Sequence, residues 1–222
     1  MTLKPGTSDE STVARGAHAT NHVLGALLRE FDVAPIESRL PREFFYRHGL
    51  AFPQQYGIAC RDVAECVRLA ESLGAGPFLR ARMNPPNWVE RGERKRCTLE
   101  FALGYAQDVQ IEFLGPGEGT QHYAAALTDT EVALHHVGIY QRGIDHIAER
   151  LEAEGYTTAV TGGLSLGAAL TIDFRYFDAR KAHGLYLEVL DFKSFGFPLS
   201  TEPAIRAYSA LVRRMRARTT RG

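Results

Sequence analysis

The chain has 222 residues, 45 % of them hydrophobic and 23 % charged, the balance of a globular protein with room for one large domain or two small ones. Its 26 basic and 26 acidic residues cancel, so there is no global field to attract nucleic acid or an anionic membrane. Three cysteines, Cys60, Cys66 and Cys97, with no Cys-x-x-Cys pair argue against a disulfide framework or a thiolate zinc site and fit a reducing compartment.

Residues 1–16 are small and polar, with little to bury and no apolar stretch of a secretory signal. They are expected to be disordered, and a cytoplasmic location is expected. No run approaches the roughly 20 apolar residues of a membrane span. Ala17 to Phe31 carries Val23, Leu24, Leu27 and Leu28 near helical spacing, so residues 1–50 read as a tail and a helical arm. Phe44, Phe45 and Tyr46 are expected to pack that arm onto two repeated units, at 51–118 and 132–193.

Residues 51–118 read as the first unit. A strand holds Gln55 to Ile58, and Asp62 caps a helix from Val63 to Leu73, which Gly74 and Gly76 stop. Pro77 to Arg82 is a short strand, and Asn84 to Arg96 is a polar loop. Strands from Cys97 to Leu103 and from Asp108 to Leu114 complete the unit. Residues 132–193 repeat the order. They give a strand from Ala133 to Tyr140, a helix from Ile144 to Glu154, a strand from Thr157 to Val160, a turn at Gly162 and Gly163, and strands from Leu170 to Phe177 and Leu185 to Leu190. Residues 200–222 suggest a C-terminal helix that docks Ile205, Tyr208, Leu211, Val212 and Met215 and leaves Arg213, Arg214, Arg216 and Arg218 in water. The fold class expected is α+β, with two βαβββ modules forming one domain, a cupped mixed sheet with helical extensions at both ends.

The repeat also proposes a site. Gln55-Tyr56-Gly57-Ile58 matches His136-Val137-Gly138-Ile139, and Val109-Gln110-Ile111-Glu112-Phe113-Leu114 matches Leu185-Tyr186-Leu187-Glu188-Val189-Leu190. Strand alternation puts Glu112 and Glu188 opposite the apolar faces of their own strands. Gln55 and His136 each share a face with a glycine two residues on, which keeps the floor open. His135 falls on the other face, and His122, His146 and His183 read as surface or loop residues. A pseudo-twofold axis gathers Gln55, Glu112, His136 and Glu188. One imidazole, one amide oxygen and two carboxylates suit a single divalent metal of the harder kind, Zn, Ni, Co, Mn, Fe or Mg.

These segments, with Leu134-His135-His136-Val137-Gly138-Ile139, resemble the vicinal oxygen chelate superfamily of glyoxalase I, methylmalonyl-CoA epimerase and extradiol dioxygenases. The resemblance spans roughly Phe52 to Phe192. It implies ligands on the first and last strands of each module, and the order Gln, Glu, His, Glu is similar to one form of glyoxalase I. It further implies a lyase or isomerase that moves a proton next to a carbonyl through a metal-chelated enolate, with Glu188 as base and Glu112 as ligand or second base. The alternatives are an Fe(II)- or Mn-dependent ring-cleaving dioxygenase and a metal-free binding or resistance protein. The expected substrate is a small carbonyl compound, with an anionic handle such as glutathione, CoA or a carboxylate. Candidates to contact it are Trp88 and Arg91 on the 84–96 loop, with Tyr140 and Tyr176; Tyr105 and Phe174 are further pocket candidates. Neither nucleic acid nor membrane is expected as a partner, and the resemblance allows a homodimer.

Overall fold

The structure, a computed structural model, describes residues 40–106, 109–166, 170–194 and 197–198. The expected helices at 17–31 and 200–222, and the tail at 1–16, lie outside them. Among the described residues the elements run α1 (Arg42–His48), β1 (Gln55–Cys60), α2 (Val63–Ser72), β2 (Leu79–Met83), β3 (Val89–Glu90), β4 (Glu93–Arg94), β5 (Leu99–Ala106) and β6 (Val109–Leu114). A 3₁₀ turn at Ala124–Leu127 leads to β7 (Val132–Tyr140), α3 (Ile144–Ala153), β8 (Thr157–Leu166), β9 (Leu170–Asp178), α4 (Arg180–His183), β10 (Tyr186–Ser194) and β11 (Phe197–Pro198). No helix among them is long and apolar enough to cross a membrane.

The strands form one mixed sheet in the order β2-β5-β6-β1-β7-β10-β9-β8-β3-β4, with β11 beside β10. Its centre carries the duplication. β1 and β7 pair antiparallel, and each is flanked by the parallel last strand of its own module, β6 or β10. The sheet curls into a half-barrel with a few helices packed against it. α2 begins where the sequence predicts, because Asp62 accepts from the Glu65 amide at 2.8 Å. It buries Val63, Cys66, Val67 and Ala70 against Ile58, Ile111 and Phe113. α3 buries Ile147, Ala148 and Leu151 against Val137, Leu187 and Val189. Burying each of the larger of these, such as Val63, Ile147 or Leu151, contributes about 1.5–3 kcal/mol.

Phe44 and Phe45 of α1 pack into the α3 core as expected, but Tyr46 is 71 % exposed, because α1 turns that face to solvent. Gly162 and Gly163 do not form a turn. β8 runs through them, and the Phe174 ring of β9 lies in the space that a Cβ on Gly162 would fill.

The 84–96 segment is also more than a polar loop. β3 and β4 form a hairpin turned by Arg91 (φ 51°) and Gly92 (φ 83°), and β3 pairs with β8 of the second module, Val89 opposite Thr161. β2 is at one margin of the sheet and β8 is near the other, so this segment spans the open side of the half-barrel. Glu90 fixes the hairpin from within. Its Oε2 accepts from the Thr120 hydroxyl at 2.8 Å and lies 3.3 Å from Lys95 Nζ.

Candidate metal centre

Inside the half-barrel, the register of four strands brings the duplicated side chains together. Gly57 is opposite His136 across β1 and β7 and beside Glu112 across β1 and β6. Gly138 is opposite Gln55 and beside Glu188. Each glycine makes room for the ligand candidate of the other module. A Cβ on Gly57 would collide with the His136 ring, and one on Gly138 would collide with the Gln55 amide.

Ligand atoms of Glu112, His136 and Glu188 all lie within 4.8 Å of one another. His136 Nε2 is 3.1 Å from Glu188 Oε2 and 3.4 Å from Glu112 Oε2. Both contacts are ion pairs, and neither His136 Nε2 nor Glu188 Oε2 has a further hydrogen-bond partner. Gln55 Oε1 is buried and unpartnered too. Two carboxylates closing on one imidazole, with a buried amide oxygen lacking a hydrogen-bond partner on the neighbouring strand, form a donor set that a divalent cation would satisfy in place of the imidazole proton. Of the adjacent glutamines, Gln55 points inward, while the Gln54 side chain accepts from the Tyr140 amide at 2.9 Å.

Electrostatics couple the three charged groups. Burial pushes the Glu112 carboxyl up and the nearby Glu188 charge adds to this, against the pull of His136. Burial acts to lower His136, but Glu188 and Glu112 outweigh it and hold its imidazolium up to about 9. Glu112 keeps 14 % of its side chain exposed, more than Glu188 or His136, and so marks the side open to solvent.

Two histidines are placed differently from the sequence-based expectation. A β-bulge opposite Gly57 and Ile58 inserts His135 as an extra residue, which turns its ring to the same side as His136. His135 Nδ1 is 3.2 Å from His136 Nδ1, and its Nε2 is 3.2 Å from the His122 carbonyl oxygen. His122 is not a surface residue. It is 5 % exposed, packed among Tyr123, His135, Tyr176 and Tyr186, and burial lowers its pKa to about 3. No local pattern announces a bulge, and His122 is buried by residues distant in sequence. His146 is exposed, as expected.

Of the substrate candidates, Tyr176 sets its ring edge-on to His136 at 5.2 Å and shares a hydroxyl contact of 3.1 Å with Tyr123. Tyr140 donates to Gln110 beside Gln55. Arg91 is exposed at the hairpin turn. Trp88 has no exposed surface. It packs on Phe174 and Tyr123 under the hairpin, because β3 pairing directs it inward. Tyr105 and Phe174 are buried as well.

The family model for the glyoxalase/bleomycin resistance protein/dioxygenase superfamily matches residues 54–174, more than half of the chain. The chain belongs to this superfamily. Its members typically bind a divalent metal, and Glu112, His136 and Glu188 form a possible site for one. Among solved structures the fold is similar to methylmalonyl-CoA epimerase from Mycobacterium tuberculosis, at 15 % identity, 70 % of this chain, 93 % of that one and a TM-score of 0.43. A Streptomyces coelicolor methylmalonyl-CoA epimerase variant in complex with 2-nitronate-propionyl-CoA gives 15 %, 64 %, 96 % and 0.41. A variant of 4-hydroxymandelate synthase from Streptomyces coelicolor gives 11 %, 75 %, 56 % and 0.45. At such scores these likenesses carry no functional argument. No curated protein matches the chain.

Proposed function

We propose that this superfamily member is a divalent-metal-dependent enzyme that transfers a proton next to a carbonyl, in an isomerase, epimerase or lyase reaction. The observation that carries the reading is the convergence of Glu112, His136 and Glu188 from three strands, with Gln55 Oε1 unpartnered beside them. Glu112, His136 and Glu188 would hold the ion, with Gln55 as a fourth ligand. When bound, a divalent cation supplies Lewis-acid stabilisation of the oxyanion that develops as a carbonyl compound loses its α-proton.

The remaining steps belong to the protein. Glu188 is the base: it is 4 % exposed, and its Oε2 faces the shared space, 3.1 Å from His136 Nε2. His136 is a neutral ligand once a cation replaces its proton. Glu112, at the solvent-facing side, is a ligand and the candidate to return the proton to the other face of the substrate carbon. Tyr140 borders this space, and the exposed Arg91 is the candidate for an anionic handle on the substrate.

The test strips the purified protein with a chelator and reloads it with Zn, Ni, Co, Mn, Fe(II) or Mg in turn. Solvent deuterium entering the α-carbon of small carbonyl compounds and their thioesters is followed by NMR. Glu188→Gln keeps an oxygen for the cation but loses the charge; it is expected to keep the fold, bind the cation more weakly and, with the cation saturating, lose exchange by at least about 10²-fold. Equal exchange in that variant, or in stripped and reloaded protein, would defeat the proposal.

A further inference from the structure

Gln55 is useful to a cation only with its oxygen forward, since the amide nitrogen has no lone pair to give. The structure shows what governs this choice. Gln110 is the register partner of Gln55 across β1 and β6, two residues before Glu112, and is 1 % exposed. Its Oε1 accepts from Gln55 Nε2 at 2.9 Å and from the Tyr140 hydroxyl. Its Nε2 donates to the Tyr105 hydroxyl at 3.1 Å. Gln110 is therefore engaged at both ends, and in this arrangement its oxygen faces Gln55 Nε2. With Nε2 held by Gln110, Gln55 turns Oε1 toward the space above Gly138, buried and without a hydrogen-bond partner.

We propose that Gln110, braced by Tyr105 and Tyr140, is a positioning residue that holds the Gln55 amide oxygen toward a divalent cation at Glu112, His136 and Glu188. This rests on the proposed metal site. An amide free to rotate would present nitrogen for part of the time, and that orientation sets N–H groups against a cation. Gln110 has no direct part in ligation; it acts through Gln55. A residue that orients a ligand in this way changes metal affinity about 10- to 100-fold when removed.

The test is a double-mutant cycle read as affinity for Co(II) and Zn(II), by competition with a chromophoric chelator in the absence of substrate. Gln110→Met keeps the volume and removes the acceptor. It is expected to weaken binding about tenfold or more, close to the effect of Gln55→Ala. The doubly substituted protein should bind no more weakly than Gln55→Ala alone. The Co(II) absorption spectrum of Gln110→Met should also match that of Gln55→Ala. Should Gln110→Met fail to fold, Tyr140→Phe removes one brace and is expected to cost about fivefold in the native background and nothing in the Gln55→Ala background. Native affinity in Gln110→Met, or an equal loss in both backgrounds, overturns the proposal. A native protein that binds neither cation defeats the metal site itself, a result distinct from the other two.

Discussion

Two glycines show how closely the modules depend on each other. Gly57 lies under the His136 ring and Gly138 under the Gln55 amide, so each module provides the hollow that the other fills. The two hollows differ in how far their occupants can yield. His136 is completely buried, with Tyr176 edge-on at 5.2 Å and His135 at 3.2 Å, and cannot step aside. The Gln55 amide can swing. Gly57→Ala is therefore expected to cost about 1–3 kcal/mol of stability, read in urea unfolding. Gly138→Ala should lower metal affinity more than stability; the reverse order would contradict this geometry. The inward placing of Gln55, Glu112, His136 and Glu188 was legible because strand alternation repeats in both modules. His135 was not, because one bulge residue reverses the alternation and leaves no mark in the sequence.

Among the elements, the helices α2 and α3 and the central strands match their sequence patterns, while β8, expected to stop before a turn at Gly162 and Gly163, and the β3–β4 hairpin do not. Helix α2 has an Asp62 cap and a regular apolar face, and both can be read locally. The β3–β4 hairpin has two residues in each strand and pairs with β8, some 70 residues further along, so nothing local reveals it. Its charged composition, Glu90 to Arg96, reads as a solvated loop, yet Glu90 is buried. Burial raises that carboxyl, but Thr120 and Lys95 outweigh it and hold the pKa below the usual carboxylate value. Glu90→Ala would strand the Thr120 hydroxyl and the Lys95 ammonium near a dry interior. The expected result is a loss of about 1–3 kcal/mol in unfolding experiments. Unchanged stability would mean that the hairpin is held by its backbone pairing alone.

At the scale of the whole molecule, the proton and the cation compete for the same place. In metal-free protein the folded pKa of His136 is raised to about 9, above an unfolded value near 6.5. Its contribution to stability is therefore complete below about pH 6.5 and is lost as pH rises through 9. Glu112 acts in the same direction from lower pH, since its pKa is raised too. With chelator present, the melting temperature is expected to fall between pH 6.5 and 9. With saturating Zn(II) or Co(II) the fall should be offset, because metal affinity gains about tenfold per pH unit while His136 has a proton to lose. A melting temperature indifferent to pH in both conditions would separate His136 from the carboxylates in function.

The β3–β4 strap has a consequence for assembly. The second half of the chain is zipped to the first along two seams, β1 with β7 in the middle and β3 with β8 at the rim. A neighbouring copy that lent its own half would have to unpick both and rebuild both. Within one chain the two hands are thus clasped at the palms and at the fingertips.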